Sequence, residues 1–594
     1  MPRLVAAIIL TIAMFTSAAA AAAAEKPLPP GVAVMPPEGL TVFGLMGEGA
    51  VTRQPVAVQG QAFQTAVRCV TVRPANEPWG YQLVGKSAAP VAKGDVLLGT
   101  FWARCIEPAG GQARTAFIFE VARSPWAKSA EFPVTVGPEW TKINVPFRAA
   151  QDYAAGEAHI NLHLGMGPQT IEIGGLAVTN FGRAVALKDL PRTSFAYDGS
   201  APDAPWRAAA AERIEKIRKG DLAVTVTDAA GRPVAGAEVR VAMKRHAFGF
   251  GSAVVARRIM GDGPDHARYR EIIEQNFSRV VFENDLKWPG WENRPGREIT
   301  MKALDWLEAR SIEVRGHCLV WPSWQNTPRG LRDLKDKPDA LREAVAAHVR
   351  EEAAALKGRI AEWDVVNEPY TNHDIMDVLG MGVMADWFRI AREADPAPIL
   401  YLNDYSILTG GGRDVRHQAD FEKHLKALIE AGAPLGGVGM QGHFGGDLTG
   451  LPRVLEILDR FAALGRPISI TEFDIDTLDE EQQARYTRDF MTAVFSHPSA
   501  RGILTWGFWE GSHWRPAAAL WRRDWTIKPN GEAWLDLVKR QWWTDATARS
   551  DASGRAAVRG FLGAYEVTVT AGAATRTVAV TLSKEGAKVT VALP

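Results

Sequence analysis

The chain has little cysteine and no excess of either charge. Its three cysteines in 594 residues, Cys69, Cys105 and Cys318, are too few for a disulfide-stapled scaffold. None sits in a C-x-x-C pair, which excludes a zinc ribbon or a thioredoxin-type redox motif. Lys+Arg and Asp+Glu each total 68. A net charge near zero leaves no basic footprint for nucleic acid and no polybasic patch for a membrane surface. Tyrosine is scarce, nine residues beside 20 tryptophans. Tryptophan faces suit flat apolar ligands such as sugar rings, and they also fill large cores. Beyond the N-terminus no apolar run is long enough to span a bilayer. There is no G-x-G-x-x-G phosphate cradle, and no H-x-H pair on an early strand for a catalytic zinc. No cofactor and no metal are expected.

The N-terminus is informative in what it does contain. Arg3 precedes an apolar run at 4–15, then small residues at 16–24, then Glu25. These are the three regions of a secretory signal peptide, with cleavage after Ala24; an uncleaved anchor is the alternative. A secreted or periplasmic monomer, free of the membrane once cleaved, is the expectation. Export permits a Cys69–Cys105 disulfide, but three buried free thiols are the preferred reading.

The length predicts two or three domains. Residues 25–37 are proline-rich and read as a linker. From 38 to 184, short alternating runs at 64–72, 95–103, 116–121, 140–147, 159–164 and 170–179 are separated by Gly and Pro clusters, which predicts a β-sandwich. Trp79, Tyr81, Trp102, Trp126 and Trp140 are candidates for a stacking platform, with core tryptophans as the plain alternative. Residues 185–220 read as a linker with an exposed helix over 207–219. Residues 221–245 and 545–594 both alternate around Gly-containing turns, and are predicted to form one accessory β-unit with a larger domain inserted between them.

Between 246 and 544, apolar runs ending in polar residues recur at 248–252, 280–284, 312–320, 361–368, 399–404, 438–443, 468–474 and 502–509. Amphipathic stretches lie between them, such as Leu451, Val454, Leu455, Leu458 and Phe461. Eight such repeats predict an α/β chain with a (β/α)8 TIM barrel; an open doubly wound sheet is the runner-up. In such barrels the site is built from the C-terminal ends of the strands. Reading those ends collects Glu283, Asn284, Lys287, His317, Trp321, Asn367, Glu368, Asn403, Asp404, Gln441, His443, Glu472, Asp474, Trp506, Trp509 and Trp514. Each alone has a structural explanation as a cap or core residue, but their convergence on one face does not. Two carboxyl groups delivered by strand ends into one pocket are the equipment of glycoside hydrolysis: one protonated, to give its proton to the leaving oxygen, and one ionised, to attack the anomeric carbon. Glu368 and Glu472 are the candidates, with His443 in reach of Glu472.

Several blocks then resemble glycoside hydrolase family 10, the endo-β-1,4-xylanases, across about 245–540. "WDVVNEP" at 363–369 resembles the acid/base motif, and "ITEFDI" at 470–475 the nucleophile motif, with Phe473 where Leu is usual. "VRGHCLVW" at 314–321, "YLNDY" at 401–405, "GVGMQGH" at 437–443 and "EN…KW" at 283–288 resemble the intervening blocks. The resemblance implies retaining double displacement, with Glu368 as acid/base and Glu472 as nucleophile. It also implies a polysaccharide substrate bound by Glu283, Asn284, Lys287, His317, Trp321, Asn367, Gln441, His443, Trp506 and Trp514. Two departures stand out: Pro322 where the family has His, and an altered block at 506–516. They point to the same chemistry on another β-glycan, substituted xylan or mixed-linkage glucan, as the alternative; a polysaccharide-binding protein without turnover is the other. The stretches at 160–165 and 171–178 loosely resemble the closing strands of carbohydrate-binding jelly rolls.

Overall fold

The computed structural model describes residues 28–594 apart from 48, 76, 109, 125, 194–196 and 478. The signal-like segment at 1–24 lies outside the described residues. The chain divides into two compact units, with the boundary after Thr193.

The first unit is a sandwich of two antiparallel sheets. One runs Val51–Ala57, Thr65–Thr71, Gln169–Asn180, Val96–Glu107, Thr141–Arg148; the other runs Gly44–Met46, Gln82–Lys86, Ala158–His163, Ala113–Val121, Lys128–Val136. Inward residues such as Phe101, Phe117, Phe119, Ile160 and Ile173 are fully buried between the sheets, as the period of two along a strand requires. Two expectations, the linker and the single aromatic platform, need correction here, and the preference for free thiols over a disulfide holds. The stretch read as a linker at 25–37 contributes Val32–Ala33 to the first sheet, paired with Asn180 and Thr179, and Val34 is fully buried; its prolines concealed an edge strand. Cys69 and Cys105 are free. Both pair with Ile171, from opposite sides, so they stand two strand spacings apart, about 9–10 Å, beyond the reach of a disulfide. The aromatic platform divides in two. Trp102 and Trp140 pack around Phe63 on the first sheet, whereas Trp79 and Trp126 flank the second.

In the second unit, Lys219–Thr227 pairs with Arg555–Phe561 and Ala587–Ala592. Glu238–His246 pairs with Asp545–Arg549 and Gly563–Ala571. Segments more than 300 residues apart in sequence thus share one β-unit, and the barrel is inserted between them. The helix expected to be exposed runs Pro205–Ile217 and is docked instead. It buries Trp206, Ala210 and Ile214 and packs on helix Glu480–Ser496. Arg207 holds Asp489 with two hydrogen bonds of 2.6 and 2.5 Å, and Arg218 donates to the carbonyls of Phe495 and His497 at 2.7 Å. Its charged composition masked a narrow apolar stripe at i, i+4, i+8.

The barrel closes from eight parallel strands: Gly249–Val254, Arg279–Phe282, Glu313–Val320, Glu362–Asn367, Ile399–Asp404, Gly437–Phe444, Ile468–Ile475 and Ala500–Thr505. Strands covered on both faces become continuous apolar runs, and nearly every residue of the fourth and seventh is buried. Gly316 is obligatory in the third, because a Cβ there would stand 2.2 Å from the Trp363 ring. Low in the barrel, Arg315 is fully buried and bonds Glu362 at 2.7 Å and Asp364 at 2.5 Å, while Arg279 bonds Glu362 from the other side. Tyr401 donates to Glu362 at 3.2 Å. Every carboxylate of this network meets a guanidinium, as buried charge demands.

Candidate active site

Glu368 directly follows the fourth strand. Its backbone has φ of 55°, a left-handed conformation costly for a residue with a Cβ. The turn is held by its own N–H donating to the Asn403 carbonyl at 2.8 Å. Its carboxyl oxygens accept from the Gln441 amide at 2.8 Å and the Asn372 amide at 3.2 Å. Burial, and then the nearby Glu472 charge, push its pKa above the ordinary carboxylate value. Both oxygens are met by neutral amides rather than by a cation, an environment that favours the protonated form.

Glu472 lies within the seventh strand and is differently served. The Asn403 amide donates to one oxygen at 2.9 Å, and His443 Nε2 donates to the other at 3.0 Å. His443 Nδ1 donates to Asp474 at 3.0 Å, and the second oxygen of Asp474 accepts from Trp514 Nε1 at 2.7 Å. Burial alone would lower the imidazole pKa. Asp474 and Glu472 outweigh it and raise it to about 9, so near neutrality His443 is an imidazolium with both N–H groups engaged. The Glu472 carboxylate is therefore met by a cation and an amide, an environment suited to a nucleophile.

Asn403 joins the two carboxylate sites. It is fully buried; its amide also donates to Asn367 at 2.8 Å, and its oxygen accepts from Thr471 at 2.7 Å. His317 is oriented from below: its Nδ1 is 2.9 Å from Asp364, whose carboxyl is held low by Arg315 against the effect of burial. That bond directs Nε2 away from Asp364. Trp506 stands edge-on to His317 at 5.0 Å and to His443 at 6.2 Å. On the second strand's loop, Lys287 donates to Asn284 at 2.9 Å and lies 4.9 Å over the Trp321 ring. Glu283 is pushed up by burial, with Lys287 opposing. An open cleft of about 300 Å³ is lined by Glu368, Tyr405, Gln441, His443, Trp514 and Arg515, among others.

The residues collected from the strand ends thus fall into groups. Glu368, Glu472, Asn367, Gln441 and His443 share one hydrogen-bond network through Asn403. His317, Trp506 and Trp514 touch it by ring contacts, and Glu283, Asn284, Lys287 and Trp321 cluster beside it. Two strand-end residues lie apart from it. Trp509 is buried, stacked on Trp525 at 4.4 Å. Asp404 is enclosed, bonded to the backbone of Tyr405 and 3.2 Å from the His417 ring. Pro322 accepts a bond from Ile375 N–H at 3.2 Å, which ties the altered loop to the segment after Glu368. Sequence reading missed the bridging part of Asn403, although it ends an expected strand. It missed Asn372 entirely, since a loop asparagine four residues past Glu368 carries no periodic signal. Among the described residues no group of three or more His, Cys, Asp or Glu is arranged to hold a metal ion.

Residues 239–536, half of the chain, match the family model described as "Glycosyl hydrolase family 10". The chain belongs to glycosyl hydrolase family 10. Its relatives include anti-sigma-I factor RsgI6 of Acetivibrio thermocellus, 35% identical over 61% of this chain and 47% of that one. Endo-1,4-beta-xylanase 1 of Arabidopsis thaliana is 27% identical over 75% of this chain and 44% of that one. This family 10 chain spans about half the length of the curated relatives it matches. The structure of native xylanase 10B from Thermotoga maritima is 25% identical and covers 50% of this chain and 96% of that one, with a TM-score of 0.45.

Proposed function

We propose that this family 10 chain is an endo-acting, retaining hydrolase of the β-1,4-xylan backbone, with Glu368 as acid/base and Glu472 as nucleophile. The observation that carries the reading is the opposed environment of the two carboxyl groups. One is buried among amides with its pKa raised; the other accepts from an imidazolium and an amide. In the first step a Glu472 oxygen attacks the anomeric carbon, the glycosidic bond breaks, and the Glu368 proton passes to the leaving oxygen. In the second, the Glu368 carboxylate takes a proton from water, whose oxygen attacks the same carbon and releases Glu472. Asn367, Gln441, His317, Lys287 and Asn284 supply hydrogen bonds to sugar hydroxyls. Trp321, Trp506 and Trp514 supply flat faces. Several relatives bear the name endo-1,4-beta-xylanase, which favours xylan over other β-glycans.

The test is proton NMR of fresh products from xylohexaose together with a polysaccharide panel. Retention predicts that β-anomeric ends appear first; α-anomers first would end the double-displacement reading. A protein inert on xylan, mixed-linkage glucan and cellulose alike would end the hydrolase reading. Export is part of the proposal: the mature protein should begin at Glu25 on N-terminal sequencing, and a retained Met1 would contradict it.

A further inference from the structure

The second sheet of the sandwich carries an unusual outer face. Side chains at alternate positions of a strand share a face, so His159, Asn161 and His163 stand together, opposite the core-facing Ile160 and Leu162. Cross-strand neighbours add Gln82 and Val84 on one side and Glu120 on the other. An exposed sheet face of this composition should be wet. Here Asn161 is 1% exposed, His163 3%, Glu120 8% and Gln82 9%. Gln82, Glu120 and His163 form the floor of a cleft of about 420 Å³, and Asn161 is bonded to Glu120 in that floor.

Two tryptophans wall that cleft. Trp126 lies nearly parallel to the His159 ring at 6.0 Å, and Trp79 leans over His163 at 6.4 Å. Both remain about half exposed, at 49% and 52%. Large aromatics held open to solvent on either side of a buried polar floor are not core packing. The floor is also incompletely bonded. Asn161 gives its amide to Glu120 at 3.0 Å, and the Gln82 amide lies 3.4 Å from the Met46 sulfur, yet the buried oxygens Asn161 Oδ1 and Gln82 Oε1 have no partner. A buried acceptor left unmade is costly, and an incoming hydroxyl donor would satisfy it.

We propose that this cleft is a second carbohydrate-binding site, separate from the barrel, which holds a neutral sugar unit of a polysaccharide chain between Trp79 and Trp126 with a hydroxyl donating to Gln82. The charges nearby offset one another, Glu120 against Lys128, and burial lowers the His163 pKa to about 4, so the floor is neutral at working pH and matches an uncharged ligand. Flat apolar walls with a few convergent hydrogen-bonding groups suit a pyranose ring, which has apolar faces and a polar rim. The cleft's openness to solvent suits an interior unit of a chain.

Xylan as the first probe rests on the reading of the barrel; the existence of the site does not. The experiment is calorimetric titration of the full chain carrying Glu472→Gln with xylohexaose, cellohexaose and a mixed-linkage glucan hexasaccharide. The expected result is two sites for at least one of them. The added double change Trp79→Ala, Trp126→Ala should remove one site or weaken it about tenfold or more, whereas Trp79→Phe, Trp126→Phe keeps flat faces and should retain it. Trp102→Ala, Trp140→Ala, on the other sheet, should leave both sites. A single site lost with Trp79 and Trp126 would support the cleft while overturning the barrel's reading. Undiminished binding after Trp79→Ala, Trp126→Ala, or loss of a site through Trp102 and Trp140 instead, would overturn the proposal. Thermal melting of each variant separates lost binding from lost folding.

Discussion

The barrel contains two clusters of buried charge, and they are built on different terms. Low in the barrel, Glu362 and Asp364 are each met by the guanidinium of Arg315, with Arg279 and Tyr401 completing Glu362. At the C-terminal mouth, Glu368 is met only by amides, and Glu472 by one amide and one imidazolium. The lower cluster is closed: Glu362 and Asp364 are buried and each meets a guanidinium. The upper cluster keeps one carboxyl without a cation, with its pKa raised, and sets that carboxyl on an open cleft. The same residue types are structural where every charge is paired and chemical where pairing is withheld.

The comparison can be broken at either cluster. The largest effect is expected at the mouth. Glu472→Ala should lower xylan turnover by more than about 10³-fold, read as reducing-sugar release, with the thermal transition retained; near-normal rates would remove Glu472 from the nucleophile's role. Glu368→Ala should be nearly as damaging on xylan, by roughly 10²–10⁴-fold. It should be far milder on aryl xylosides whose leaving phenol needs no proton, and equal losses on both substrates would contradict an acid role. At the base, Arg315→Met leaves buried Asp364 with no guanidinium and Glu362 with only Arg279 and Tyr401, and should cost about 3–5 kcal/mol of stability, seen as a lower urea midpoint; an unchanged midpoint would mean that the pairs are not what holds this layer.

The smallest effects sharpen the contrast. Gln441→Ala removes a donor that favours the charged form of Glu368, so the alkaline limb of the kcat/KM profile should move to higher pH by about one unit or less; a downward move would refute the assignment of that limb to Glu368. His443 has its folded-state pKa raised to about 9. Its contribution is therefore complete below the unfolded value near 6.5 and is lost as pH rises through about 9. The melting temperature should fall across that window, and His443→Gln should flatten the fall.

Much of the barrel was legible because its signals are local. Each strand is an apolar run ended by a polar residue, and Ile399–Asp404 falls where the pattern predicts it. Glu368, Gln441, His443 and Glu472 were legible by their place at strand ends. Other features had no local signal. Val32–Ala33 was hidden by prolines. The helix Pro205–Ile217 looked exposed because it is rich in charge and buries only Trp206, Ala210 and Ile214. Five aromatic positions of the sandwich could not be assigned to faces before the strand order was known, and two ended as walls of a cleft while two packed around Phe63.

By itself the sequence determined the period of the barrel, the residue types at its mouth and the order in which they arrive, since side-chain chemistry and strand patterning are written residue by residue. Only the tertiary structure decided which of those residues meet. It made Asn403 the bridge between two carboxyl groups, put Ile171 between Cys69 and Cys105, and left the buried side-chain oxygens of Asn161 and Gln82 without a hydrogen-bond partner near two open tryptophans. Those outcomes depend on which strands become neighbours and what covers them, and burial and pairing across hundreds of residues are properties of the packed chain.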